Sequence, residues 1–165
     1  GYVRREGSLR GGRWITAQPD ALLEQWARRD DWTRRVTVHQ YSLLLPIDQA
    51  AHEVANGLGA NQRVAFTQWF AAQLRFPYTE APVISAYVDT LPLDSVLERL
   101  TAREVPSGGR LWLLRPKDEG VFQFTQTVSG LNLVSDAQIC LDLLQVGQRG
   151  PDAAKALREW EGFRR

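Results

Sequence analysis

Catalysis or metal binding needs side chains that can move protons, attack, or coordinate, and the 165 residues of this chain offer few of them: two histidines and one cysteine. His39 falls in the alternation Val36-Thr37-Val38-His39, which reads as a strand. His52 lies on the polar side of a helical stripe, so the pair is not placed to share a ligand or a proton. Cys140 sits inside the apolar stripe of a capped helix, where a thiol behaves as a buried hydrophobe rather than a nucleophile. Asp118-Glu119-Gly120 follows a strand and offers two carboxylates, with Asp142 as a third, for a metal-dependent nuclease or nucleotidyltransferase-related reaction. No Glu-x-Lys partner follows on a second strand, and Lys117 precedes the acids. Asp30-Asp31 closes a helix and reads as a solvated turn. Arg10-Gly11-Gly12 lacks the GxxxxGK[ST] spacing of a phosphate cradle. The reading is therefore no catalytic residue, no metal and no cofactor, with the Asp118 and Glu119 enzyme as the alternative.

The charge distribution points instead to macromolecules. Net charge is only +1, yet 18 of the 20 basic residues are arginine. Four of them, Arg4, Arg5, Arg10 and Arg13, fall in the first 19 residues against a single acid, Glu6. Two short β-prone runs, Tyr2 to Arg5 and Arg13 to Ala17, flank Gly7, Gly11 and Gly12 and predict a hairpin. Such a hairpin, marginal by itself in water, could serve as a β-wing whose arginines contact DNA phosphates. A protein-interaction surface using Trp14, Trp32 and Trp112 is a further alternative, if these rings form one apolar patch. A lone cysteine excludes an internal disulfide framework, and apolar runs of only a few residues predict no membrane span, so a cytoplasmic location is expected. The chain has no methionine, which suggests a processed product or a fragment.

The elements around these residues alternate irregularly. Pro19 and Asp20 open a predicted helix with Leu22, Leu23 and Trp26 on one side. Asp48 is expected to cap a second helix with Ala51, Val54, Ala55 and Leu58 inward and Gly59 as its stop. Thr67 is expected to cap a third, with Trp69, Phe70 and Leu74 inward. Leu93, Val96, Leu97 and Leu100 form an i, i+3, i+4, i+7 stripe. Ser135 and Gln138 make a capping box ahead of Cys140 and Leu141, and Pro151 starts a last helix with Ala153, Leu157 and Trp160 inward. Between them, Val83 to Val88 is apolar on both faces and predicts a central strand. Ser107-Gly108-Gly109 predicts a hairpin between Val105 and Leu111–Leu114, and Ser129-Gly130 another, pairing Phe122 and Phe124 with Leu131 to Val134. Helices and hairpins without a regular strand–helix repeat predict an α+β fold. The expected form is a mixed, mostly antiparallel sheet packed against several helices and preceded by a short wing-like β-hairpin. The expected division is residues 1–19 as the hairpin and 20–165 as the main domain.

Three stretches resemble one known family in the same order. Ser135 to Glu159 resembles the ending of AbiEi-like antitoxins of type IV toxin–antitoxin (abortive infection) systems, in which Gln, Leu-Asp-Leu, Arg-Gly and Ala-Ala recur. Here these are Gln138, Leu141-Asp142-Leu143, Arg149-Gly150 and Ala153-Ala154. Leu111 to Phe122 resembles the strand and Arg-Pro-x-Asp-Glu-Gly-Val turn that precede that ending, carried by Arg115, Asp118 and Glu119. Val64 to Asp89 resembles the upstream block. Two departures are Cys140, where relatives commonly show an aromatic, and Asp136, where a proline is more usual. The resemblance implies a bacterial, non-enzymatic antitoxin and transcriptional regulator. It implies a winged-helix domain that binds promoter DNA, with Tyr2 to Ala17 in the place of the wing and recognition helices upstream. It also implies a larger domain acting against a nucleotidyltransferase-like toxin, without a need for direct contact. Within that pattern, Asp142 among leucines must be paired if buried, with Arg149 the nearest partner along the chain. Asp118 and Glu119 are expected to accept from turn amides beside Gly120. These positions read as architecture or as a surface for toxin or RNA.

Overall fold

The computed structural model describes residues 1–7, 12–58, 62–78, 80–147 and 149–164. The chain divides into two compact units, Gly1–Asp30 and Asp31–Arg165. The first holds strands β1 (Val3–Glu6) and β2 (Arg13–Thr16) and helix α1 (Pro19–Arg29). β1 and β2 pair antiparallel, and Tyr2 O closes the base of the hairpin by accepting from Ala17 N at 2.8 Å and Gln18 N at 3.2 Å. Pro19 at the first turn of α1 has no N–H to leave unpaired, while Asp20 and the terminal Arg28 and Arg29 match the helix dipole. Leu23 is buried, whereas Trp26, expected inward, is half exposed.

The second unit begins with the short helix α2 (Trp32–Arg35), which runs directly into β3 (Val36–Ser42). There follow α3 (Ile47–Gly57), β4 (Val64–Thr67), α4 (Gln68–Arg75), β5 (Ile84–Val88), α5 (Asp94–Arg99), β6 (Arg103–Glu104) and β7 (Leu111–Pro116). A 3-10 turn (Glu119–Phe122), β8 (Gln126–Val128), β9 (Leu131–Leu133), α6 (Asp136–Leu143), α7 (Gly150–Glu159) and a last 3-10 turn (Glu161–Arg164) complete it. The strands form one mixed sheet in the order β6-β3-β7-β5-β4-β9-β8. β5–β7 and β4–β9 are parallel, and the other four neighbouring pairs are antiparallel. The chain is thus α+β with a mostly antiparallel sheet, as its irregular alternation predicted. Every residue of β5 is buried, in keeping with its two apolar faces and its place between β7 and β4.

Where local signals competed with tertiary ones, the local ones gave way. Asp48 lies in the first turn of α3 and does not cap it; Pro46 occupies the cap position, and Gly59 lies outside the described residues. Leu93 precedes α5 and is 72% exposed, so the buried stripe there reduces to Val96 and Leu100. Ser107-Gly108-Gly109 does not turn a hairpin. β6 and β7 lie on opposite sides of β3, and the link must cross the end of that strand. Gly109 is required at the crossing, because a Cβ there would sit 2.7 Å from the Tyr41 carbonyl oxygen and 2.8 Å from Tyr41 N. The second predicted hairpin forms, but one element later. Ser129 and Gly130 both adopt positive φ (51° and 79°), which suits a two-residue turn between Val128 and Leu131. Phe122 instead ends a 3-10 turn and Phe124 points out, 86% exposed.

Candidate functional site

The polar centre of the second unit is Asp142, the only carboxylate among the described residues with no exposed surface. It sits on α6 and is met by Gln138 of the same helix and by residues of α2, β4 and β5. Thr67, at the end of β4, donates its hydroxyl to Oδ2 at 2.6 Å. Oδ1 accepts from Arg35 Nη2 at 2.9 Å, from Gln138 Nε2 at 2.8 Å and from the Tyr87 hydroxyl at 3.1 Å. Arg35 also donates from Nη1 to the Tyr87 oxygen at 2.8 Å, and its guanidinium lies 5.1 Å above the Trp32 ring. Burial pushes the Asp142 carboxyl above the usual carboxylate range, while the Arg35 guanidinium and the Thr67 and Gln138 donors pull it back. Burial, reinforced by Asp142, drives the Tyr87 phenol upward, so Tyr87 serves as a neutral donor.

This geometry corrects two local expectations. Arg149, offered as the partner of Asp142 by proximity along the chain, is exposed at the start of α7; the charge that meets Asp142 is Arg35, 107 residues away. The Ser135–Gln138 box is half made. Ser135 Oγ accepts from Gln138 N at 3.3 Å, but the Gln138 amide turns to Asp142 rather than back to the cap. Thr67 likewise makes no side-chain cap to α4, since its hydroxyl is committed to the carboxylate. Gln68, the next residue, has φ 53° and is fully buried, accepting from Ser85 Oγ at 2.6 Å. Its Nε2 has no hydrogen-bond partner among the described residues. β4 therefore turns into α4 without an intervening loop, holding Thr67 under Asp142.

A second ion pair ties the same layer. Arg75, at the end of α4, grips Asp136 with both arms, Nε to Oδ1 at 2.8 Å and Nη2 to Oδ2 at 2.9 Å, and Gln126 Nε2 donates to Oδ1 at 2.6 Å. The Arg75 guanidinium lies 4.7 Å above Trp160, which stacks on Phe76. Asp136 is thus the ligand of an arginine fork.

The remaining predicted residues do not converge. Asp118 Oδ1 accepts from Gly120 N at 2.7 Å, as expected for a turn cap. Glu119 departs from that expectation and pairs with Arg63, Nη1 to Oε2 at 3.2 Å, on the surface. Asp142 is enclosed by its own four donors, so the three carboxylates invoked for the enzyme alternative do not share a cleft, and no cluster of three metal-ligating side chains occurs among the described residues. Arg115 is exposed on β7 opposite Thr37. Cys140 is buried and its thiol is pushed up to about 12, chiefly by burial, which leaves it inert. His39 Nδ1 lies 3.1 Å from Glu104 Oε1, whereas His52 is exposed. Gly150 has a steric role: a Cβ there would collide with the Leu143 carbonyl, where α7 starts against α6. The tryptophans are separately engaged. Trp32 lies under Arg35, Trp112 donates Nε1–H to Gly109 O at 2.8 Å, and Trp14 belongs to the first unit and is 70% exposed.

In the hairpin, the register divides the arginines between two faces. Arg4 opposes Ile15, and Glu6 opposes Arg13, so these four share one face; Arg5 opposes Trp14 on the other. Glu6 bridges its neighbours, 3.1 Å from Arg4 and 4.0 Å from Arg13. Arg10 lies outside the described residues.

The chain thus holds a basic hairpin unit and an α+β unit organised around a buried carboxylate. Residues 15–161 match the family described as transcriptional regulator, AbiEi antitoxin, type IV TA system, and the chain belongs to it. The match begins at Ile15, so the first strand of the hairpin lies outside it. Neither a curated protein nor a solved structure matches the chain. No helix among the described residues is long and apolar enough to cross a membrane.

Proposed function

We propose that this chain is the antitoxin and autorepressor of a type IV toxin–antitoxin pair, acting in the cytoplasm without catalysis of its own. Residues 1–19 serve as a wing that holds promoter DNA through the phosphate contacts of Arg4, Arg5, Arg10 and Arg13. Residues 20–165 serve as the effector domain that counters a nucleotidyltransferase-like toxin, with or without direct contact. The family match over residues 15–161 carries this reading. The charge partition supports the assignment of the DNA contact. Residues 1–30 hold six arginines against Glu6, Asp20, Glu24 and Asp30, a net of +2, whereas residues 31–165 hold a net of −1. Nucleic-acid affinity built on phosphates should therefore reside in the smaller unit.

The test is binding of the full-length protein, with the recognition helices expected upstream, to a labelled duplex carrying its own operon promoter, followed by fluorescence anisotropy across a salt series. Affinity is expected to fall as salt rises. Replacing Arg4, Arg5, Arg10 and Arg13 together by alanine should weaken it and flatten the log–log slope by roughly one for each phosphate that is no longer neutralised. An unchanged affinity and slope in that variant would remove the wing assignment.

A further inference from the structure

We infer that the groove between α5 and the end of β3 docks a cationic amphipathic segment of a partner protein. Such a segment carries lysine or arginine along one side and leucine-like side chains along the other. The inference concerns the larger unit and stands apart from the DNA-binding reading above. The groove is an open cavity of about 770 Å³, lined by Leu44 beyond β3, by Asp94, Leu97 and Glu98 of α5, and by Thr101 and Arg103 where the chain enters β6. A site of that size holds several side chains of a partner. Its apolar part follows from the sequence. Leu93, Val96, Leu97 and Leu100 repeat at helical spacing, but the core takes only Val96 and Leu100. Leu97 is left half-buried in the groove, Leu93 stands exposed one turn before it, and Leu44 of the same groove is 83% exposed. Exposed leucines gathered at one cavity, rather than scattered singly, mark a surface that a partner covers.

The charge of the groove selects the partner. Asp94 and Glu98 lie four residues apart on α5, where like charges repel. Neither makes an ion pair among the described residues. Arg103 is the single cation among the described residues of the lining, so the acids outnumber it. A cation laid over the two carboxylates relieves their repulsion while its apolar neighbours cover the leucines. An acidic segment or a nucleic acid would add to that repulsion, and a wholly apolar one would bury two charges without a countercharge. The groove is also built in advance. Thr101 holds φ 50°, a left-handed conformation that strains a β-branched residue and that glycine adopts freely. In this conformation Thr101 N donates to Glu98 O and Ala102 N to Leu97 O, both at 2.9 Å, which ties the turn back onto two groove residues of α5. Strain of this kind collects at functional surfaces, and a preformed wall spares the partner the entropy of ordering it.

The experiment titrates the full chain with two labelled synthetic helical peptides, one of leucine and lysine and one of leucine and glutamate in the same pattern. Binding is followed by fluorescence anisotropy and located by amide NMR shifts, and native mass and thermal unfolding are recorded for each variant. The leucine–lysine peptide is expected to bind one per chain, to shift the amides of Leu44, Leu97 and Thr101, and to bind about tenfold or more tightly than the leucine–glutamate peptide. Leu44→Ser and the pair Asp94→Asn/Glu98→Gln should each weaken it about tenfold with the thermal midpoint unchanged, since these side chains are exposed. Glu159→Gln, on α7, should leave it as it was. Equal affinity for the two peptides, no binding of the leucine–lysine peptide, or an affinity untouched by the groove variants overturns the inference. A native dimer of the unaltered chain that the groove variants dissociate identifies a second copy as the occupant and overturns it as well. Should Leu44→Ser fail to fold, the Asp94→Asn/Glu98→Gln pair decides the question.

Discussion

At the scale of single residues, stability turns on what happens to a charge taken out of water. Asp142 has no exposed surface and Arg35 is the only cation among its partners in the described residues, so the two must be kept together. Removing Arg35 with alanine should destabilise the protein by about 3–5 kcal/mol, because a buried carboxylate is left without its countercharge. The adjacent change, Arg34→Ala, breaks only the exposed pair with Asp31 and should have no measurable effect on chemical denaturation. The pH dependence has a definite sign. Burial raises the Asp142 carboxyl above its unfolded value, so the native state keeps that proton to higher pH than the unfolded chain does. Its contribution is then fully favourable below the unfolded value and is lost as pH rises through the folded one. Loss of Arg35 enlarges that upward shift, so the deficit of Arg35→Ala should be smallest in acid and grow toward neutrality. Asp142→Asn in the same background should abolish the trend; a deficit independent of pH would mean Asp142 is not the stranded group. The need for a partner was legible in the sequence, since an aspartate flanked by leucines on a helix cannot be left unpaired. Its identity was not. Arg149 was the nearest cation along the chain, and nothing local distinguishes Arg35 until β3 and α6 are brought into one layer.

Among the elements, the legible features were those fixed by local periodicity: the central β5, the Ser129-Gly130 turn and the stripe of α7. What failed did so because a side chain or glycine had a distant claim on it. Thr67 and Gln138 look like capping residues and carry the right chemistry, but a buried carboxylate competes for both with charge-assisted bonds. Gly108-Gly109 looks like a hairpin turn and is a crossing, since only tertiary pairing reveals that β3 lies between β6 and β7. Gly150 makes this concrete. The Arg-Gly of the C-terminal run resembled a family signature of unknown purpose, and the glycine proves to be where α7 begins against the Leu143 carbonyl. Gly150→Ala should therefore separate α6 from α7 and destabilise the fold by about 2 kcal/mol or more, despite alanine's better helix propensity. Gly147→Ala in the same connection has φ 52° but open space around its Cβ, so its loss should be conformational only and smaller. Equal midpoints for the two variants in urea would remove the steric explanation of Gly150.

For the whole molecule, the two units divide charge as they are proposed to divide labour. The hairpin unit carries the positive excess, and the larger unit is close to neutral and held by the Arg35–Asp142 and Arg75–Asp136 pairs. The family match covers nearly all of the larger unit but only the last two residues of the second strand and the helix of the smaller one. Antitoxin action should accordingly belong to residues 20–165, and DNA contact to the hairpin before them. The most direct measurement is growth of cells that express the nucleotidyltransferase-like toxin of the same operon, with the antitoxin chain supplied from an independent promoter. The unaltered chain should restore growth, the alanine variant at Arg4, Arg5, Arg10 and Arg13 should restore it equally well, and Arg35→Ala should not. Failure of the unaltered chain to restore growth, or loss of rescue in the hairpin variant while its fold is intact, would contradict this division of labour.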